Sequence, residues 1–445
     1  MFEDILTDHN PHWIGELREN ILPRSVLPLV LDWMKTPMIV SLVGVRGCGK
    51  STLLYAVINH LILKEHVPPE NILYLNLEET RFTAYRNDPL YLETLLEDYR
   101  KLKNPSGLIY CFFDEIQYFE QWPIFVKSHF ERKKMKFFLT GSNSTLLSSD
   151  LLTLLSGRTL SLEIYPLAYK EFIHQQGISS EDPTYLSVYR TQLKSHLENY
   201  LECGGFPAPL LEAKSHQRSH ILNAYAKSIL YQDVIPRLKL RKPIELEELF
   251  TYMVSNIGKS FSYARLARHF SLSDKQVKEY LIALEESFLL FEVDLFSYSV
   301  SKQIRNPKKI YAIDTGMVTA LGIHFSKNVG RLLENGVFLE LKRLNLRITY
   351  YKTRSDREVD FSVQKGTQLA LVQVAWQTFD PETKEREITA LVEALKELKL
   401  TSGLLLTSEE DWEKTFDGIR VVALSAYKFF CLKESEQIQL LFSQD

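Results

Sequence analysis

The stretch GVRGCGKST, Gly44 to Thr52, decides how the rest of the chain is read. It fits G-x-x-x-x-G-K-[ST], and its surroundings are those the pattern needs: the apolar run MIVSLVG (Met38 to Gly44) leads in and the helical pattern STLLYAVINHLI leads out. A strand that turns through glycines into a helix gathers backbone N–H groups at the helix N-terminus, where a phosphate is held. Gly44, Val45, Arg46, Gly47, Cys48, Gly49, Lys50, Ser51 and Thr52 are therefore the expected nucleotide-binding residues. The N–H groups of Arg46 to Lys50 are expected to wrap the β-phosphate, Lys50 to neutralise β/γ oxygens, and Ser51 to ligate Mg²⁺.

Working outward, three more apolar runs follow: NILYLNLE (Asn71 to Glu78), LIYCFFDE (Leu108 to Glu115) and KFFLTGSN (Lys136 to Asn143). They alternate with polar helical stretches, and continuous apolar runs of this kind suit a parallel sheet covered on both faces. The third run ends in Asp114 and Glu115, which places both carboxylates at the C-terminal edge of the sheet, where open α/β sheets bind ligands. Asp114 is expected to hold Mg²⁺ through water and Glu115 to polarise the attacking water. After the next strand, Asn143 or Ser142 is the candidate sensor of the γ-phosphate. Arg158, in LLSGRT, is a candidate finger on a neighbouring subunit's nucleotide; a surface arginine at a helix end is the plain alternative.

Taken in order, GVRGCGKST, FFDEIQYFEQW, FFLTGSNSTLLSSDLLTLLSGR, the ECGGFP turn, YQDV, NPKKIYAIDTGM and the EVDF strand resemble the prokaryotic AAA+-type ATPases that join a P-loop domain to a winged helix and a C-terminal nuclease-like domain. The resemblance covers nearly the whole chain, and its N-terminal motifs are the more specific. It implies an α/β fold: a P-loop AAA+ parallel sheet with a helical lid, then a winged helix-turn-helix and a C-terminal α/β restriction-endonuclease-like domain. The expected boundaries are 1–165 for the ATPase core, 166–236 for the lid, 237–308 for the winged helix and 309–445 for the last domain. ATP and Mg²⁺ are the implied ligands, and homo-oligomeric assembly is the implied habit.

Residues 245–300 carry three helical patterns, ELEELFTYMVSNIG, SYARLARHF and DKQVKEYLIALEES, with Ser262 and Ser273 as expected N-caps. That is winged helix-turn-helix spacing, and it makes the third helix the reading helix, with Lys275, Gln276 and Lys278 near its start. Arg265, Arg268, Lys302, Arg305, Lys308 and Lys309 are the expected phosphate contacts. Glu279, Glu285 and Glu286 dilute the positive field along that helix, so docking of a protein partner stays open beside DNA.

The final segment shows a helix, GRLLENGVFLELKRLN, then strands, the layout of a restriction-endonuclease-like core in which acids gather metal ions. Glu334 or Glu340 is the candidate helix acid and Asp360 the strand acid. On the next strand, where an acid and a lysine would stand one residue apart, the chain has Gln373 and Ala375. Lys384 is a substitute source of the lysine, although DPETKERE reads as a solvated turn. Losing a carboxylate and the lysine removes metal charge and activation of the nucleophile, so a folded, inactive nuclease-like domain is expected.

Composition agrees with this division. At 445 residues the chain is long enough for about three domains. Its net charge of −3 excludes a globally basic nucleic-acid coat and leaves any such binding to a local patch. Four scattered cysteines form neither a zinc spacing nor a disulfide framework. MFEDILTDHN lacks the basic start of a signal peptide, and no run approaches the ~18 apolar residues of a membrane span, so a cytoplasmic protein with no membrane role is expected.

Overall fold

Every residue of Ile39–Val43 (β1) is buried, and so is every residue of Met135–Gly141 (β4), as an inner strand with helices on both faces requires. With Ile72–Asn76 (β2), Ile109–Asp114 (β3) and Thr159–Glu163 (β5) they form a five-stranded, all-parallel sheet in the order β2-β3-β4-β1-β5. Phe112 of β3 and Phe138 of β4 stack with ring centroids 4.6 Å apart, a cross-strand aromatic pair that supports this register. The helices Lys50–Leu63, Tyr91–Lys103 and Trp122–Glu131 lie between the strands in sequence. β5 escapes a reading by apolar runs because TLSLE sits at the sheet edge and is only partly buried.

The computed structural model describes residues 3–144, 155, 157–178, 188–211, 214–240, 243–299, 301, 303, 306–323, 328–376 and 381–443. The chain divides into two units, Met1–Ile164, which holds the parallel sheet, and Tyr165–Asp445. No helix among the described residues is long and apolar enough to cross a membrane.

The helices of 166–236, expected as a lid, group with the second unit: Tyr169–Gln175, Arg190–Cys203 and Ser215–Ile229. Three further helices, Ile244–Ser255, Tyr263–Phe270 and Asp274–Glu286, accompany a small antiparallel sheet of Ser260–Phe261 (β6), Leu290–Val293 (β7) and Lys308–Ala312 (β8), in the order β6-β8-β7. Ser273 begins the third helix by accepting the Gln276 N–H while Gln276 reaches back, a capping box. Ser262 stands at the N-cap of the second helix without a side-chain capping bond. The middle strand β8 spans the boundary expected at 308/309, so the small sheet closes only with the segment assigned to the last domain.

Beyond the Val329–Arg343 helix lies a six-stranded mixed sheet: Arg347–Lys352 (β9), Glu358–Lys365 (β10), Gln368–Ala375 (β11), Ser402–Thr407 (β12), Trp412–Phe416 (β13) and Ile419–Ser425 (β14), ordered β13-β14-β12-β11-β10-β9. The Pro381–Leu398 helix buries Leu391, Ala394 and Leu395 against Val359, Leu371, Ala375 and Leu405 of this sheet. Two sequence motifs meet in the same unit. Asp314 caps the Thr315–Leu321 helix by accepting the Met317 N–H at 2.9 Å, and its other oxygen accepts the Gly205 N–H of the CGGFP turn at 2.6 Å. The approach there is so close that a Cβ on Gly316 would lie 2.1 Å from the Cys203 carbonyl oxygen, which explains a glycine at that place.

Candidate functional site

The loop after β1 and the carboxylates after β3 meet at one edge of the sheet because β4 alone separates the two strands. Gly44 passes so near the end of β5 that a Cβ would lie 2.1 Å from the Ile164 carbonyl oxygen. Gly49, with φ of 102°, turns the chain into the Lys50–Leu63 helix. The Lys50 side chain is buried; Nζ donates to the carbonyls of Gly44 at 2.9 Å and Val45 at 3.3 Å and lies 3.3 Å from Glu115 Oε1. Burial works against its charge, but Glu115 and Asp114 outweigh that and hold the ammonium above the usual lysine range.

Asp114 is buried and receives the Tyr74 phenol at 2.8 Å, the Thr140 hydroxyl and the Ser51 hydroxyl. Burial, and then the adjacent Glu115 charge, push its carboxyl upward. A cation would relieve that charge. Ser51 and Asp114 offer hard oxygens beside the phosphate loop, the donor set Mg²⁺ prefers, so these residues fit an ATP·Mg²⁺ ligand.

Glu115 adopts left-handed backbone, φ 55°, a conformation that costs a non-glycine residue of order 1–3 kcal/mol. Its N–H donates to Thr140 Oγ1 at 2.9 Å, and its Oε2 accepts from Gln117 Nε2 at 2.6 Å and from the Ser142 N–H at 3.0 Å. Burial raises its carboxyl, yet Lys50, Gln117, Arg46 and Ser142 together hold it below the usual range, so it stays ionised. Of the two sensor candidates, Ser142 is the one whose backbone touches Glu115; Asn143 lies half-buried one residue on. Arg158, at the start of β5, pairs with Glu131 at 3.3 Å and is partly exposed.

Residues unmarked in the sequence complete this region. Tyr74 and Thr140 hold Asp114, Gln117 holds Glu115, and Arg24 donates to the Cys48 carbonyl at 2.9 Å from beneath the loop. Only Gln117, two residues beyond Glu115, carried a local signal. The others reach the site from distant strands or from the N-terminal segment.

On the helices Tyr263–Phe270 and Asp274–Glu286, Arg265, Arg268, Lys275 and Lys278 are exposed, and Lys275 pairs loosely with Glu279 at 3.7 Å. Gln276 is committed to the capping box. Lys302 and Arg305 lie outside the described residues.

Two expected phosphate contacts need correction. Lys308 is largely covered and pairs with Asp294 and, at 3.5 Å, with Glu292. Lys309 is 1% exposed and its ammonium lies 2.8 Å from Glu358, 3.0 Å from Glu334 and 3.2 Å from Asp360, so it cannot meet a phosphate at the surface. The alternation of β8 turns Lys309 inward, toward the helix and strand that carry the acids.

That cluster also settles which acids gather. Glu334 joins it, whereas Glu340 pairs with Arg343 at 2.7 Å elsewhere on the same helix. The Asp360 N–H donates to Gln373 Oε1 at 3.1 Å and its Oδ2 accepts the Val374 N–H at 3.0 Å. Ala375 packs in the apolar core, and Lys384 is drawn to Glu410 and the Trp412 ring. The lysine among the carboxylates is thus Lys309. Burial and then Glu334 raise the Asp360 carboxyl to about 7, against the opposing pull of Lys309.

Comparison with known proteins divides the chain in three. Residues 36–173 match a family model described as an AAA domain, residues 194–328 a domain of unknown function (DUF8612), and residues 329–427 another (DUF4143). An uncharacterized protein of Haemophilus influenzae is 28% identical over 411 residues, covering 91% of this chain and 96% of that one. Among solved structures, AMPPCP-bound DnaA from Aquifex aeolicus aligns over 62% of this chain and 92% of its own at 16% identity, with a TM-score of 0.28, too low to bear on function. The uncharacterized protein MJ1544 of Methanocaldococcus jannaschii is 33% identical over 382 residues, covering 83% of this chain and 82% of that one. The chain belongs to the same family as that protein, and its residues 36–173 are an AAA domain.

Proposed function

We propose that the first unit binds and hydrolyses ATP with Mg²⁺ and that nucleotide state governs engagement of DNA, or of a protein partner, by the second. The observation that carries this reading is the meeting of Lys50, Ser51, Asp114 and Glu115 at one sheet edge, with Lys50 Nζ 3.3 Å from Glu115. In the proposed roles the loop cradles the phosphates, Lys50 neutralises β/γ oxygens, Ser51 and Asp114 hold the metal, and Glu115, kept ionised, orients the attacking water. Bound Mg²⁺ supplies charge neutralisation on the phosphates.

In the second unit, three helices and a small antiparallel sheet support a winged-helix reading, with Arg265, Arg268, Lys275 and Lys278 as the exposed basic set. The helix and sheet that follow support a nuclease-like reading without cleavage. An ammonium stands among Glu334, Glu358 and Asp360, in the place where a metal ion would have to neutralise these acids. A nucleotide-gated switch with little turnover is the second reading; it is favoured by the ion pair of Lys50 with Glu115, which nucleotide must break.

ATP turnover measured with and without duplex DNA over a range of salt tests both. Turnover stimulated by DNA, with stimulation falling steeply as salt rises, supports the first reading. Tight ATP binding with negligible turnover supports the second. If ATP does not bind at all, both fail.

A further inference from the structure

We propose that the side chain of Arg46, supplied by the phosphate loop itself, is the guanidinium that meets the γ-phosphate, and that Glu78 holds it aside until nucleotide arrives. The inference rests on the ATP-binding reading above. Arg46 is the third residue of the Gly44–Thr52 stretch, on the part of the loop proposed to wrap the phosphates. Its Nη1 lies 2.6 Å from Glu78 Oε1 and its Nη2 donates to the Tyr118 hydroxyl at 3.1 Å. Glu78 follows β2 and Tyr118 follows β3, so both stand at the sheet edge that carries Asp114 and Glu115. The charge of Arg46 also acts on Glu115, which places the guanidinium on the side of the loop where the water-orienting carboxylate sits.

The pairing with Glu78 suits a parking place better than a structural pair. Arg46 and Glu78 side chains keep 18% and 35% of their surface exposed, so exchange of partners needs no unfolding. The parking place is braced independently: Arg86 stacks 4.4 Å over the Tyr118 ring and donates to the Glu78 carbonyl at 2.7 Å. Departure of Arg46 therefore leaves Glu78 and Tyr118 in position. A planar fork paired with a partly solvated carboxylate gains by moving to a phosphoryl group that offers more charge and two acceptors. Arg158, tied to Glu131 at 3.3 Å, is not needed for this purpose.

In the step itself, water oxygen forms a bond to the γ-phosphorus while the bond from that phosphorus to the β,γ-bridging oxygen breaks. The bond's electron pair remains on the β-phosphate of ADP, and the water proton passes by way of Glu115 to the released phosphate or solvent. Arg46 donates to the equatorial oxygens of the phosphoryl group in flight, so its contribution is largest in the transition state.

The test compares wild type, Arg46→Ala, Arg46→Lys and Glu78→Gln for binding of ADP, ATP and ADP with aluminium fluoride, and for single-turnover hydrolysis. Arg46→Ala is expected to leave ADP affinity within about twofold. It should slow hydrolysis by about 10²–10³-fold and weaken the aluminium fluoride complex in parallel. Arg46→Lys should recover part of the rate, and Glu78→Gln should bind ATP at least as tightly as wild type. Hydrolysis by Arg46→Ala within twofold of wild type overturns the inference, and so does an ADP affinity that falls as much as ATP affinity. Should wild type bind ATP without turnover, the preference for ATP over ADP replaces the rate as readout: its retention in Arg46→Ala refutes the proposed role. Failure of wild type to bind any nucleotide refutes the underlying reading instead, and the inference with it.

Discussion

Replacing Lys309 by methionine keeps an unbranched side chain one atom shorter and removes the ammonium from the middle of Glu334, Glu358 and Asp360. All three carboxylates lie within 3.2 Å of Nζ, and the ammonium is 1% exposed. Removing one partner of a buried ion pair leaves uncompensated charge and costs about 3–5 kcal/mol. Glu358 keeps about a third of its side-chain surface open to water, which tempers its share and points to the lower part of that range. At roughly 2–4 °C per kcal/mol for a large domain, the second unit should unfold several degrees earlier.

The pH dependence follows from the acids, since the lysine, held well above its usual range, is charged throughout the working window. Asp360 is raised to about 7 by burial and by Glu334. A raised carboxyl binds its proton more tightly folded than unfolded, so its ionisation destabilises the fold progressively from about pH 4 to pH 7, and fully above. Without the opposing pull of Lys309 the Asp360 carboxyl rises further. The gap between wild type and Lys309→Met should therefore be narrower near pH 4, where Asp360 is protonated, than at pH 8, where it is ionised. Hydrogen exchange of segments 308–312 and 358–365 reads this locally and avoids the mixed signal of two units unfolding. A gap under about 0.5 kcal/mol at pH 8, or one that does not change between pH 4 and pH 8, refutes the reasoning.

Three further outcomes are expected. Lys50→Ala should lose ATP binding or turnover, whereas Glu115→Gln should retain bound ATP and stop hydrolysing it; parental turnover by Glu115→Gln in a single-turnover assay would remove Glu115 from its proposed role. Asp314→Asn cannot accept from both Gly205 and Met317, so denaturant unfolding at pH 7 should show a loss of about 1–3 kcal/mol. Because burial raises Asp314 to about 6, wild type loses stability through this group as pH climbs from about 4 to 6, a slope the variant should lack. Charge reversal at Arg265 and Lys278, both exposed, should weaken duplex DNA binding and lower the slope of log affinity against log salt by about 0.9 for each phosphate no longer neutralised; an unchanged slope in a fluorescence titration would take DNA off this face.

The sequence by itself determined the features that are local in the chain. A glycine loop between an apolar strand and a helix, and an apolar strand ending in Asp114 and Glu115, are fixed by neighbours a few residues away. The fold places them as their order implied, on a parallel sheet. Capping of the Asp274–Glu286 helix by Ser273 was legible for the same reason. Only the tertiary structure decided which distant side chains join those groups. Tyr74 and Thr140 reach Asp114 from neighbouring strands, and Arg46 turns to Glu78 across the loop, because strand order rather than sequence distance sets what lies adjacent.

Lys309 shows the limit most clearly. In the sequence it stands in the basic run KQIRNPKK and reads as a surface cation. In the fold, the two-residue alternation of β8 turns it toward Glu334 and Asp360, from elements that begin about 20 and 50 residues later. For the lysine missing at Ala375 the sequence offers Lys384 from the following segment, but the ammonium among these acids comes from another strand, because charge pairs by distance in space and the sequence records only distance along the chain.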